Sequence, residues 1–504
     1  MELLASAVLG DLISRSISFF VDRYNRLQAR GAEESLQHLR CVLLRVQATV
    51  EEAERRDITN QAMLRQLDAL RHGMYRGYYV LDAFTCRGRA HGDGDAGAKL
   101  LVRDSSFALR RFNSAKRLCL SATTPEKMVS GGKGLNELRK VLSSVEMIIA
   151  DMEEFVLFLK CYPPMCRELY SSYLYSDMCM FGRHTEYERI VSFLLQIGPP
   201  GTANLSVLPI VGPVRVGKST LVEHVCYDQR VRSCFSSIVS FTGDDLQGLK
   251  ANADALQESG IVKYRNGASP GRLLIILELI GDLEEEIWIR LCSLLGHYAH
   301  GSKVIVTSRS ERIMRLGTTQ TLKLNVLPQE AYWYFFKMIA LRNVGPKDYL
   351  ELSSIAMEIA AELNASFMYA ITAGNFLRAN PDVHLWRKVL ERMREFTTKH
   401  VLMFGEHPVD LLQKEQPIYV WRMTGSSEVL VANRIYQVSS PQHKVPELSM
   451  QDIVYGKAMP CGKSECLVWK SQIPPYYSYV MSCSIVTPQR MVVKKRSRLQ
   501  INLS

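Results

Sequence analysis

Hydrophobic and polar positions follow one another in three different rhythms along the chain. In the first, up to about Leu159, apolar residues recur at steps of three and four. The sets are Leu36, Leu39, Leu43, Val46 and Val50; Leu64, Leu67, Met74, Tyr78 and Leu81; and Leu135, Leu138, Leu142, Val145, Ile149 and Met152. Each set draws one apolar stripe along a helix of 3.6 residues per turn. Long helices with one apolar face each must bury those faces together, which predicts a helical bundle. Met1–Phe20 reads as a further amphipathic helix, its apolar residues interrupted by Asp11, Ser14, Arg15 and Ser16. It lacks the charged leader and cleavage site of a signal peptide. The glycine-rich stretches His91–Gly97 and Ser130–Gly134 are predicted to be mobile loops.

The second rhythm, from about Met180 to Lys399, alternates short apolar runs with helix-length segments. The runs Leu205–Val211, Ile238–Phe241, Leu273–Leu277 and Lys303–Thr307 are rich in Val and Ile, the pattern of a parallel sheet buried on both faces. After Pro328 helices take over, at Glu330–Leu341, Leu350–Leu363 and Tyr369–Leu377. The third rhythm, from about His400, is one of short strands broken by Pro, Gly and Ser. These are Pro417–Met423, Val429–Ile435, Cys466–Lys470, Tyr476–Val486 and Met491–Val493. No tandem repeat is visible, and in particular no leucine-rich repeat of roughly 20–29 residues. The predicted fold is therefore multidomain, α and α/β. A helical bundle (1–160) and a linker (161–179) lead to a parallel α/β domain (180–328), a helical subdomain (329–400) and a β-rich C-terminal region (401–504).

Composition sharpens this only a little. With 504 residues, 47% hydrophobic and 22% charged, the chain has the make-up of a globular protein of several domains. No apolar run reaches the roughly 18 residues that a membrane helix needs, which points to the cytosol or nucleus. The twelve cysteines are scattered; Cys461 and Cys466 are close but have no second pair at zinc spacing, so reduced thiols are expected. The net charge of +11 owes much to Arg103, Arg110, Arg111, Lys116 and Arg117 and to the tail Lys494–Arg498. Such runs attract nucleic acid or acidic lipid, but solvated surface is the better reading, and the tail also fits a short nuclear-import pattern.

One segment carries specific chemistry. Gly212-Pro213-Val214-Arg215-Val216-Gly217-Lys218-Ser219-Thr220 matches G-x-x-x-x-G-K-[ST] and stands between an apolar strand and a helix starting near Thr220. In that setting successive backbone N–H groups turn inward on phosphate oxygens, aided by the positive end of the helix dipole. Lys218 would reach the outer phosphates and Ser219 would coordinate Mg²⁺. From average residue frequencies, chance produces about 0.02 matches in a chain of this length. The bland alternative is a glycine turn with no ligand.

The strand Leu273–Leu277 runs into Glu278 and then Leu279. Active P-loop ATPases place one acid here for Mg²⁺ and commonly a second to activate water. Glu278 suits the first role, and Leu279 cannot fill the second. Asp282 and Glu284–Glu286 read better as the solvated start of a helix. Nucleotide binding is expected without efficient hydrolysis.

These segments together resemble the NB-ARC domain of plant intracellular immune receptors. Met180-Phe181-Gly182-Arg183, followed by Ile190–Leu195, is similar to the opening segment that touches adenine in that family. Gly301–Arg309 is similar to the family's strand that bears a phosphate-sensing arginine; Arg309 would leave a strand at the ligand-binding edge of the sheet, or else make a surface ion pair. Leu324–Pro328 through Trp333 and Phe336 resembles the start of the next helical subdomain, called ARC. The N-terminal bundle resembles the Rx-type coiled-coil domain of the same receptors, with Tyr78 and Tyr79 where the family usually has an acidic pair. Those tyrosines suit packing better than a partner site. Other departures stand out. Val214-Arg215 replaces paired glycines, Asn364–Ala370 lacks the proline that stacks on adenine, and there is no Met-His-Asp motif.

The resemblance implies a signalling switch in plant defence that holds ADP in a closed form and opens when ATP replaces it. The departures remove contacts expected in the closed form and so weaken the switch. It implies partners among other immune receptors or signalling proteins, met through the helical bundle, and homo- or hetero-oligomers. Two other classes stay open. One is a scaffold that pairs with full receptors without a nucleotide cycle; the other is an active ATPase acting on nucleic acid, which Leu279 opposes.

Overall fold

In the computed structural model, residues 32–87, 132–163, 181–196, 205–247, 261–265, 271–279, 281–295, 301–342, 349–408, 416–421, 429–438, 445–454, 462–471 and 478–486 are described, with isolated positions between them. The predicted helix Met1–Phe20, the loop His91–Gly97, Cys461, the strand Met491–Val493 and both basic clusters lie outside them.

The first rhythm becomes helices α1 (Ala32–Glu54), α2 (Gln61–Arg87), α3 (Gly132–Ala150) and α4 (Met152–Leu159). Their stripes meet as the periodicity demands: Leu39, Leu43, Val46, Leu64, Leu67, Leu138, Leu142 and Val145 are all buried. Two differences stand out. Helix α3 begins at Gly132, inside the glycine run expected to be a loop. The apolar stripe that follows draws the helix back to its start, where the first N–H groups have no intrahelical partner in any case. The third apolar set is also broken at Asp151, so that Met152 opens a separate helix.

The second rhythm gives a six-stranded sheet and its covering helices. In chain order these are α5 (His184–Leu195), β1 (Ser206–Val211), α6 (Lys218–Tyr227), α7 (Gln229–Cys234), β2 (Ser237–Thr242), α8 (Gly243–Gln247), β3 (Ile261–Arg265), β4 (Leu273–Glu278), α9 (Glu285–Leu295), β5 (Lys303–Ser308) and β6 (Leu322–Lys323). The sheet order is β3-β2-β4-β5-β1-β6, parallel throughout except for β3. Alternate residues feed two cores. Leu208, Ile210, Leu274, Ile276 and Ile305 pack with Ile190 and Leu194 of α5 and Leu221 and Val225 of α6. Val207, Val211, Phe241, Ile275, Leu277, Val304 and Val306 pack with Leu283 and with Leu291 of α9. Burial on both faces explains why these strands read as unbroken apolar runs.

Helices α10 (Gln329–Ala340), α11 (Tyr349–Glu362), α12 (Phe367–Ala379) and α13 (Val383–Phe404) follow. The last region holds β7 (Ile418–Trp421), β8 (Val429–Val438), a short helix α14 (Met450–Val454) that the sequence did not announce, β9 (Lys463–Lys470) and β10 (Ser478–Val486). These four strands form an antiparallel sheet in the order β7-β8-β10-β9.

The chain divides into two units. One comprises Met1–Ser172, Pro328–Ala360 and Gly374–Trp386; the other comprises Tyr173–Leu327, Ala361–Ala373 and Arg387–Ser504. Within the first, α10 lies on α2. The indole N–H of Trp333 donates to Asp82 at 2.9 Å and the Lys337 ammonium reaches the same carboxylate at 2.7 Å. Tyr78 donates to Gln47 at 2.6 Å, Tyr79 is buried and accepts from Gln329 at 3.2 Å, and both Tyr75 and Tyr78 pack on Tyr334. Both tyrosines of the altered acidic motif are thus engaged inside their own unit.

Within the second unit, the C-terminal sheet has its own core of Ile418, Leu430, Ala432, Ile453, Cys466, Met481 and Cys483, against Phe396 and Phe404 of α13. His400, fully buried, pins helix to sheet. Its Nδ1 lies 2.8 Å from the Phe396 carbonyl and its Nε2 accepts the Tyr419 N–H at 3.0 Å. Both bonds suit a neutral ring protonated on Nδ1, and burial holds its pKa below the ordinary value. The described cysteines are free thiols, and Cys466 faces Cys483 rather than a metal partner.

Candidate functional site

Strand β1 ends at Val211, and Gly212–Thr220 turns from it into α6, which starts at Lys218. Gly212 donates its N–H to Ser308 O at 3.3 Å, and a Cβ there would lie 2.4 Å from the Leu324 carbonyl oxygen. No side chain fits. Pro213 and Val214 are exposed, whereas Val216 is buried and anchors the turn in the core below. Gly217 caps the helix at φ +93°, in the left-handed region that glycine enters without steric cost. Arg215 sits at φ +60°, so the residue that replaces a family glycine keeps a glycine-like backbone, at a cost of order 1 kcal/mol. The first turn of α6, with Lys218, Ser219 and Thr220, leaves its N–H groups free of intrahelical partners at the positive end of the helix.

Parallel register brings the other candidates level with this turn. Val211 lies beside Ser308 and Glu278 beside Thr307, so the loop, Arg309 and Glu278 all leave the same edge of the sheet, with β5 between β1 and β4. Lys218 folds back on the loop, its amine donating to the carbonyls of Gly212 and Pro213 at 2.8 Å each. Burial first, and then the charge of Arg309, push the Lys218 ammonium down to about 8 against the pull of Glu278. Two cationic residues, Lys218 and Arg309, thus leave the same sheet edge, and positive charge there favours a multivalent anion. Ser219 donates to Glu278 Oε2 at 2.7 Å. This hydroxyl and carboxylate are hard oxygen donors of the kind Mg²⁺ takes beside a nucleotide phosphate, and they fit that ion.

At the end of β4 an apolar residue follows Glu278. Leu279 is buried in the core with Leu277, Leu283 and Phe241, and its N–H donates to Thr307 O at 2.9 Å. Asp282 accepts from the Ser310 hydroxyl and pairs with Arg312 at 2.9 Å, which hold its carboxyl below the usual range. Glu285 and Glu286 form the first turn of α9, the solvated helix start expected of them.

The opening segment is held by its own neighbours. Phe181 is buried, and Gly182 has φ +70° with Leu327 packed beside its Cα. Arg183 is buried before α5, donating to Glu186 at 3.0 Å and to the Asn325 carbonyl. Asn364 and Ala365, in the segment that lacks the adenine-facing proline, both take φ +52°. Sequence reasoning missed two residues near the loop. The Arg215 charge acts on Tyr369, at the start of α12, and the Arg215 guanidinium carbon lies 5.9 Å from the ring centroid of Tyr479 in β10. No local signal could have shown this, because each tyrosine is more than a hundred residues from the loop.

Strand order, glycine-bounded turn, lysine and the Ser219–Glu278 pair define the class: a P-loop nucleotide-binding domain on a parallel α/β sheet. Comparison with known families narrows it. Residues 7–117 match the Rx N-terminal domain and residues 183–344 match the NB-ARC domain. An Rx N-terminal domain followed by an NB-ARC domain makes the chain similar to NLR-type plant disease resistance proteins. It is similar to "Disease resistance protein RGA2" of Solanum bulbocastanum, 23% identical over 71% of this chain and 36% of that protein. It is also similar to "Putative disease resistance RPP13-like protein 1" of Arabidopsis thaliana, 24% identical over 71% of this chain and 34% of that protein. The chain thus spans about a third of the length of these relatives. Among the described helices none is long and apolar enough to cross a membrane.

Proposed function

We propose that this chain is a nucleotide-holding signalling switch in plant defence, binding ADP or ATP with Mg²⁺ and hydrolysing ATP weakly. The observation that carries the reading is a turn that only glycine permits at Gly212, followed at the N-terminus of α6 by Lys218 and by Ser219 hydrogen-bonded to Glu278. The loop amides and Lys218 hold the outer phosphates, and Arg309 reports which phosphate is there. Ser219 and Glu278 would hold the ion, which would supply positive charge to offset that of the phosphates. Phe181, Gly182 and Arg183 shape the base side of the site. Weak hydrolysis follows from Leu279, whose place in the core leaves no carboxylate there to activate water.

The working parts of this reading are a partner-binding bundle (1–160), a linker (161–179), the nucleotide domain (180–328), an ARC-like helical subdomain (329–400) and a C-terminal region (401–504). Other immune receptors or signalling proteins meet the bundle, in homo- or hetero-oligomers, in the cytoplasm or nucleus. A switch requires unequal nucleotide affinity in its two states. Mass spectrometry of nucleotide released from the purified native protein tests the reading: ADP at near-stoichiometric level is expected.

A second reading is a scaffold that pairs with full receptors without a nucleotide cycle. Its support is that Lys218 already spends two of its donor bonds on its own loop. Recovery of no nucleotide, with no ADP affinity on addition, would favour it.

A further inference from the structure

We propose that Tyr479, carried by the C-terminal antiparallel sheet, is a positioning residue of the nucleotide site: it braces the Arg215 flank of the phosphate loop, so that docking of this sheet and occupancy of the loop by a nucleoside di- or triphosphate support each other. The inference rests on the nucleotide-binding reading and gives the C-terminal region a part in it.

The first support is distance. The Arg215 guanidinium carbon stands 5.9 Å from the Tyr479 ring centroid, within the range over which a cation is drawn to an aromatic ring. The second is backbone. Arg215 is the one non-glycine in the phosphate loop with positive φ, and a residue stays in that region only where its surroundings hold it. A guanidinium tied to an aromatic ring outside the loop is such a hold. The third is the rigidity of the ring's support. Strand β10 is interior to its sheet, paired with β8 on one side and β9 on the other. Trp469 of β9 lies directly across from Tyr479, with ring centroids 5.9 Å apart. The β9 ladder slips between Tyr479 and Val480, and bulges of that kind bend a strand and re-aim its side chains.

Electrostatics agrees with this placement. Burial raises the Tyr479 phenol, Arg215 lowers it and Glu278 raises it, so the ring feels both the loop and the acid that accepts from Ser219. The Arg215 charge also lowers the Tyr369 phenol against the larger raising effect of burial. The loop amides can converge on phosphate only while Arg215 keeps its left-handed turn. Anything that holds Arg215 therefore favours the anion, and an anion that fixes the loop favours the docked sheet in return.

The test uses the full chain with ADP as the probe, read by calorimetry and by limited proteolysis of the C-terminal region with and without ADP. Tyr479→Ala is expected to weaken ADP binding about tenfold, the upper range for a partly desolvated cation–aromatic contact. Tyr479→Phe, which keeps the ring, should stay near wild type. ADP should slow cleavage within residues 401–504 of the wild type and fail to do so in Arg215→Ala, which leaves the sheet itself untouched and so reports even where Tyr479→Ala does not fold. If the wild type binds ADP while neither Arg215→Ala nor Tyr479→Ala changes affinity or ADP protection, the inference is overturned and the nucleotide reading stands. If wild type and Lys218→Ala alike show no ADP affinity, both are overturned.

Discussion

The ends of β1 and β4 open on the same edge of one sheet, and the chain has kept one intact and altered the other. At the end of β1 the motif positions keep their residue types, and Arg215 takes a glycine-like φ of +60°. Gly212 has no room for a Cβ, Gly217 turns at φ +93°, and Lys218 and Ser219 follow at the start of a helix. At the end of β4, Glu278 remains beside Ser219, but the next residue is Leu279, packed into the core. Holding a phosphate depends mainly on backbone geometry shared by many residues, whereas cleaving it depends on one carboxylate in one place. The two abilities are therefore separable.

The sharpest way to break this comparison is Lys218→Ala. Loss of charge-assisted bonds to phosphate should weaken ADP and ATP at least about a hundredfold in calorimetry, and unchanged affinity would refute the intact status of the β1 end. Next comes Leu279→Asp. If Leu279 belongs to the core rather than to a vacant catalytic position, a carboxylate among Phe241, Leu277 and Leu283 should destabilise the domain by about 2–3 kcal/mol in chemical denaturation. A variant as stable as the wild type would show that the position is open to water after all.

A smaller effect is expected from pH. With Lys218 near 8 in the free protein and pulled upward by a bound phosphate, binding takes up a proton wherever the free amine is neutral. Affinity should stay flat below pH 8 with respect to this group and fall above it, by up to about tenfold per pH unit. A titration across pH 7–9.5 in which the affinity does not decline would contradict the assignment. The mildest is Glu278→Gln, expected to reduce the Mg²⁺-dependent part of ATP affinity about fivefold while leaving Mg²⁺-free ADP binding unchanged. Equal loss with and without Mg²⁺ would mean that Glu278 shapes the loop instead of serving the ion.

Much of this could be read along the chain because the signals are local. Strand β1 falls at Ser206–Val211, where a run of apolar residues precedes glycine, and helix α10 begins beside Pro328. The strand–turn–helix around Gly212–Thr220 was legible from its motif, although α6 begins at Lys218 and not near Thr220. Strand β3 was not foreseen. It is short, carries Lys263 and Arg265, and pairs antiparallel at the sheet edge, so only its neighbour makes it a strand. The start of α3 at Gly132 and the helix α14 were likewise outvoted locally and settled by packing.

Alone, the sequence determined the long amphipathic helices and the buried parallel strands, that one turn matches a phosphate-binding motif, and that the residue after Glu278 cannot act as an acid. Those properties follow from side-chain periodicity and from the chemistry of adjacent residues. Tertiary structure decided that Ser219 meets Glu278, that Asp82 takes Trp333 and Lys337, and that Tyr479 reaches Arg215. Each of these joins residues dozens to hundreds of positions apart. Their proximity depends on strand order, register and the closing of separate cores, which no stretch of chain encodes by itself.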